Sequence, residues 1–206
     1  MIECEIKLQI NNMTEVKEKL LSIGFIEAYR LTETDTYFDN VSGDIRANDN
    51  ALRIRKTINH STKSKSSQLN FKGKKLDSIS VSRPEYETGV DDSDAVVSIL
   101  NSLGYAPVSP KVVKNRTLLN AKSLDKKQLA ELGIDGFTDM FSINACLDEV
   151  EDLGDFLELE VIVTTESEKE LALELITNIL VFLGYHISDT TATSYLSALQ
   201  KKTANS

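Results

Sequence analysis

Residues 2–10 (IECEIKLQI) alternate without a break: Glu3, Glu5 and Lys7 fall on one side, Ile2, Cys4, Ile6 and Leu8 on the other. A period of two predicts a strand with one charged and one apolar face. The pattern then changes. Val16, Leu20 and Ile23 stand at helical spacing in 14–23, with Thr14 as the expected N-cap and Gly24 as the stop. Strand patterns return near 33–39, 51–57, 67–73 and 79–88. Residues 91–103 read as a second helix, started by an Asp/Ser cluster and stopped by Gly104. Further strands fit 111–119, 141–149 and 156–164. A third helix fits 167–183, capped by Ser167 and stopped by Gly184, and a short helix near 190–201 follows. Two stretches differ: 59–67 is a polar loop with no apolar residue, and 121–137 reads as a short helical insert between strands.

The strands share one feature. Leu52 and Ile54 oppose Arg53 and Arg55; Leu69 and Phe71 oppose Gln68, Asn70 and Lys72; Leu157, Leu159 and Val161 oppose Glu158 and Glu160. Arg83, Glu85 and Glu87 share a face, as do Lys114 and Arg116. One solvated face is ordinary in an antiparallel sheet. The whole set, with amphipathic helices that must cover something, predicts more. It predicts a single α+β domain over residues 1–206, an antiparallel sheet closed into an eight-stranded barrel with charges inside and flanking helices outside.

Charges in such an interior are costly unless paired, solvated or neutralised by a ligand. The inward set holds seven bases (Lys7, Arg53, Arg55, Lys72, Arg83, Lys114 and Arg116). It also holds seven acids (Glu3, Glu5, Glu85, Glu87, Asp148, Glu158 and Glu160). The bases suit a polyanion. The carboxylates suit a hard divalent cation, Mg²⁺ or Mn²⁺.

Composition narrows the reading. The chain has 206 residues, 41% hydrophobic and 27% charged, an ordinary globular mix. Its formal net charge of −9 argues against a general nucleic-acid binder. No apolar run reaches the roughly 18–20 residues of a membrane span, and the N-terminus is a charged strand rather than a secretory leader. A cytoplasmic setting is expected. Cys4 and Cys146 make neither a CxxC pair nor a disulfide framework. No Ser-His-Asp set or phosphate-binding glycine loop stands out.

The blocks occur in a recognisable order. Glu3-x-Glu5-x-Lys7 resembles the ExExK signature of the CYTH, or triphosphate tunnel metalloenzyme, superfamily. DTYFD at 35–39, ALRIR at 51–55, Lys72-Gly73, Arg83-x-Glu85-x-Glu87, Lys114-x-Arg116, the 147–160 block (LDEVEDLGDFLELE) and Ser194-Tyr195 resemble its later motifs. The early blocks and the size most resemble the class IV adenylyl cyclase-like branch, to which thiamine triphosphatases are related. The resemblance implies that Glu3, Glu5, Asp148, Glu158 and Glu160 hold Mg²⁺ or Mn²⁺. It implies that Lys7, Lys72 and Lys114 act as catalytic bases of the site and that Arg53, Arg55, Arg83 and Arg116 bind the substrate's phosphates. The implied partner is a small-molecule triphosphate, with no nucleic acid or membrane; a homodimer is compatible with it.

Two reactions share that apparatus: conversion of ATP to cyclic AMP and pyrophosphate, and hydrolysis of a nucleoside, thiamine or inorganic triphosphate. A non-catalytic polyphosphate binder is the third reading, though a pure anion binder gains little from so many acids. A lipocalin-like carrier would want an apolar interior. Arg55→Ala is expected to cost ligand affinity rather than fold, and the empty interior is expected to be near neutral.

Overall fold

The computed structural model describes residues 2–74, 84–121 and 142–204 with Lys127 and Ala130, apart from the side chains of Ile2, Glu3, Glu166 and Ser167. The side chain of Glu3, all of Arg83 and nearly all of the 121–137 insert lie outside the described residues.

The strands are β1 (Ile2–Gln9), β2 (Ile26–Asn40), β3 (Ala51–Asn59), β4 (Ser64–Lys72), β5 (Glu85–Gly89), β6 (Tyr105–Ala121), β7 (Ile143–Val150) and β8 (Gly154–Val163). The helices are α1 (Met13–Ser22), α2 (Asp44–Ala47), α3 (Ser93–Ser102), α4 (Glu166–Leu183) and α5 (Tyr195–Ala204). One eight-stranded sheet runs β1-β8-β7-β6-β2-β3-β4-β5, antiparallel at every step. Among the described residues no ladder joins β1 to β5, so hydrogen bonds do not make the closure expected from the sequence. The sheet is curled all the same. Glu5 and Lys7 of β1 and Glu85 and Glu87 of β5 line one cavity of about 1030 Å³.

Apolar faces drive the curl. Ile6 and Leu8 of β1, Leu147 of β7, and Leu157, Leu159 and Val161 of β8 turn outward. They pack under Val16 and Leu20 of α1 and under Leu175, Ile176 and Ile179 of α4. Fully burying each such side chain contributes about 1.5–3 kcal/mol. Further along, Leu100 of α3 covers Phe38 and Ile54 on the outside of β2 and β3. α5 does the opposite. Its Tyr195 and Leu199 enter the concave side and pack with Val112, Val150 and Phe156, giving one end of the polar interior an apolar plug.

Several boundaries move. β2 and β6 are far longer than the segments 33–39 and 111–119, because 26–32 pairs with 115–120 and Pro107 and Pro110 sit within β6. The register slips between Asp35 and Tyr37, opposite 108–112, which is how a strand tolerates proline. The polar stretch 59–67 is mostly hairpin: Ile58 pairs with Lys65, and the Asn59 side chain accepts from the backbone N–H groups of Ser61 and Thr62. Two caps differ as well. Asn12, not Thr14, caps α1 by accepting from the Glu15 backbone. α4 starts after Thr165, where Glu168 accepts from the backbone N–H groups of Thr164 and Thr165.

Candidate active site: a charged concave face

Cross-strand register puts the charges on one surface, since residues directly opposite in an antiparallel ladder share a face. Lys7 faces Glu158, Glu5 faces Glu160, Arg116 faces Asp148, Glu33 faces Lys114, and Asp35 faces Arg55. Lys72 faces Glu85 and Asn70 faces Glu87. All of the described candidates thus come together on the concave side.

The centre is a chain of ion pairs. Arg116 grips Asp148 with two arms, Nε to Oδ1 and Nη2 to Oδ2, each 2.6 Å, and also reaches Glu158. Lys114 donates to Asp148 Oδ2 at 3.2 Å. Arg55 makes a second two-armed pair with Asp35, at 2.7 and 2.8 Å, and Arg53 reaches Asp35 at 3.3 Å. Glu33 Oε2 lies 3.2 Å from both Lys114 Nζ and Arg55 Nη1, close enough for charge attraction although neither geometry makes a hydrogen bond. Asp148, Asp35, Glu33, Lys114 and Glu158 are all buried. Burial alone would raise the carboxyl pKa values. The Arg55 bonds and the charges of Arg53 and Arg55 overcome that for Asp35, bringing it to about 2. Arg116 and Lys114 likewise hold Asp148 and Glu158 below the ordinary carboxylate range. Burial pushes Lys7 down, with Glu158 and Glu5 opposing it.

The sequence reading missed three participants. Glu33 ties Arg55 to Lys114; its alternation with Asp35 and Tyr37 was the available signal. Cys146 turns inward beside Glu158, and its Sγ lies with carboxylate oxygens of Glu158 and Glu160 within 4.8 Å of one another. Tyr195 donates its hydroxyl to Asp148 Oδ2 at 3.0 Å. Arg46 reaches the mouth of the cavity and donates to Gln200 of α5 at 2.7 Å. His60 bonds Thr32 at the surface.

Glu33 and Asp35 join the acids of the interior. Among the described residues, the six strand bases, with Arg46 and Lys201 in the cavity lining, meet ten acids: Glu5, Glu33, Asp35, Asp39, Asp49, Glu85, Glu87, Asp148, Glu158 and Glu160. Acids and bases among these described residues are thus close to even in number. The donor set fits a divalent cation at one place in particular. Glu5 and Glu160 stand directly opposite, a like-charge pair that a cation between them would relieve, and Glu158 and Cys146 adjoin. Asp148 fits less well, because Lys114, Arg116 and Tyr195 already occupy its oxygens.

These features define an α+β protein whose sheet turns its charges into its own concavity. Residues 1–195 match the CYTH domain, and the chain belongs to that family. CYTH proteins are generally metal-dependent, in keeping with the Cys146, Glu158 and Glu160 cluster. A Methanocaldococcus jannaschii protein named "Putative adenylate cyclase" is 32% identical over 196 residues, 95% of this chain and 97% of that one. A solved structure from Pyrococcus horikoshii is 30% identical, with a TM-score of 0.77 over 97% of this chain and 99% of its own. A Hippeastrum protein, described as a "Putative adenylyl cyclase" with a dominant triphosphatase activity, shares the fold at 16% identity and a TM-score of 0.63, over 98% and 96% of the two chains. No helix among the described residues is long and apolar enough to cross a membrane.

Proposed function

We propose that this protein is a Mg²⁺- or Mn²⁺-dependent enzyme acting on the triphosphate group of a small molecule, most like a class IV adenylyl cyclase. The observation that carries the reading is the alternation of buried or partly buried arginines and lysines with carboxylates around one large cavity. Arg53 and Arg55 present planar forks that match phosphate oxygens. The buried Nε of Arg53 has no hydrogen-bond partner among the described residues, and an incoming phosphate oxygen would satisfy it. Lys114 and Arg116 form a second basic pair on β6, and Lys72 stands at the β4 edge. Together they would hold a phosphate chain straight for in-line attack.

Glu5, Glu158 and Glu160 would hold the cation, with Glu3 as the fourth carboxylate and Asp148 as the anchor of Lys114 and Arg116. The cation supplies neutralisation of charge developing on the phosphate oxygens. In the cyclase reading the 3′-hydroxyl of ATP gives up its proton to solvent as its oxygen bonds to the α-phosphorus, the bond from the α-phosphorus to the bridging oxygen breaks, and pyrophosphate leaves with the negative charge. The identity with the named M. jannaschii protein favours this reaction. Hydrolysis of the terminal phosphate is the second reading. One observation favours it: of the tyrosine rings lining the cavity, Tyr195 has Lys7 on its face and Tyr37 packs against the Val112, Val150 and Phe156 cluster.

Incubation with ATP, thiamine triphosphate and tripolyphosphate in Mg²⁺ or Mn²⁺, with product identification, tests the proposal. Cyclic AMP with pyrophosphate supports the cyclase and orthophosphate the hydrolase. Binding of all three without turnover favours the non-catalytic polyphosphate binder.

A further inference from the structure

Five of the six described bases on the concave face, Arg53, Arg55, Lys72, Lys114 and Arg116, have a carboxylate oxygen within 4 Å. Lys7 has none among the described residues. Its ammonium sits instead over the ring of Tyr195, 4.3 Å from the centroid. We propose that Tyr195 is a positioning residue of this site: its ring holds the Lys7 ammonium at the cavity wall without neutralising it, while its hydroxyl fixes Asp148.

A ring face attracts a cation through its quadrupole but carries no net charge and takes no proton. Lys7 is thereby located with no carboxylate in direct contact among the described residues, whereas the other bases must first loosen one. The same phenol donates to Asp148 Oδ2, the oxygen that also takes Lys114 and Arg116. That third donor keeps Asp148 turned to β6 and away from Lys7. Tyr195 is itself held firmly. It is 8% exposed, and Phe156 meets it edge-on at 5.0 Å. The preceding chain is tied to β1 by Thr191 N–H donating to the Lys7 carbonyl at 2.7 Å. α5 is tied down by Arg46 to Gln200 and by Gln200 to the Ser109 carbonyl at 2.9 Å. The identity of the anion that Lys7 meets rests on the triphosphate reading; the hold of Tyr195 on Lys7 does not.

Two variants separate ring from hydroxyl. Tyr195→Phe keeps the ring, and Tyr195→Leu keeps apolar volume without it. Tripolyphosphate binding in Mg²⁺ is measured by calorimetry for each, alone and combined with Lys7→Ala. We expect Tyr195→Leu to weaken binding about 3- to 30-fold and Tyr195→Phe by less than about 3-fold. In the Lys7→Ala background Tyr195→Leu should cost little more than Tyr195→Phe, the sign of direct coupling between ring and ammonium. A merely structural role would cost the same in both backgrounds, and that result overturns the proposal. A ligand-free measurement stands beside it. In NMR spectra of lysine-labelled protein, the Lys7 side-chain methylenes should be ring-shifted in wild type and Tyr195→Phe and lose that shift in Tyr195→Leu. Unchanged Lys7 resonances in Tyr195→Leu also overturn it. Wild type that fails to bind tripolyphosphate would remove the functional reading, while the Lys7 resonances would still decide the role of Tyr195.

Discussion

Arg116 and Asp148 face each other across the β6–β7 ladder and close a two-armed ion pair at 2.6 Å per arm, with Asp148 wholly buried. Removing one partner of a buried pair strands the other charge. Asp148→Ala should therefore destabilise the fold by about 3–5 kcal/mol. Urea unfolding of wild type and variant measures it. A loss below about 1 kcal/mol, the range of an exposed pair, would show that Arg116 and Lys114 find other partners.

The expectation that Arg55→Ala spares the fold does not survive the geometry. Arg55 provides both strong bonds to Asp35 and reaches Glu33, and both acids are buried. The variant should lose about 3 kcal/mol of stability as well as phosphate affinity. Arg55→Ala combined with Asp35→Asn should recover part of the stability but not the affinity. Thermal unfolding and tripolyphosphate titration separate the two.

Acid should unfold the protein through these same carboxylates. Asp35 has a folded pKa of about 2, below its unfolded value near 3.9. A depressed pKa contributes stability that is present above the unfolded value and is lost as pH falls towards the folded one. Asp35 alone contributes about 2 kcal/mol on that basis, and Asp148 and Glu158 act in the same direction. Unfolding free energy should hold steady above about pH 5 and drop steeply between about pH 4 and 2. A flat profile across that window would mean that these acids are paired no better in the folded chain than in the unfolded one.

Glu5 and Glu160 give a metal prediction that needs no turnover. Mn²⁺ should raise the midpoint of thermal unfolding in wild type, because a ligand that binds only the folded state stabilises it. Glu5→Gln should reduce that rise. An equal Mn²⁺ response in the variant would take Glu5 out of the cation site.

Much of this was legible in the chain. Strict alternation around Glu5 and Lys7, Arg53 and Arg55, and Glu158 and Glu160 gave face and register together, because a slip of one residue would have turned every charge outward. Asp148 fell on the inward face for the same reason. Long-range pairing was not legible. Nothing local says that 26–32 continues β2, since Glu27 pairs there with both Arg30 and Lys17. Pro107 and Pro110 hide the start of β6. The side of the sheet on which α5 lands was also hidden: Leu196 and Leu199 look like any apolar stripe, and only the tertiary structure sends Tyr195 to Asp148.

The unjoined seam between β1 and β5 has a further consequence. A closed barrel has no borders, but an open sheet has two, and a bare border recruits the strand of a neighbouring molecule. Here the β1 rim is covered, since Leu8 bridges Thr190 and the Lys7 carbonyl accepts from the Thr191 N–H, and the β5 rim carries Glu85 and Glu87, turned to the concave side. A docking strand would first have to peel residues 190–191 from β1 or bury the β5 carboxylates.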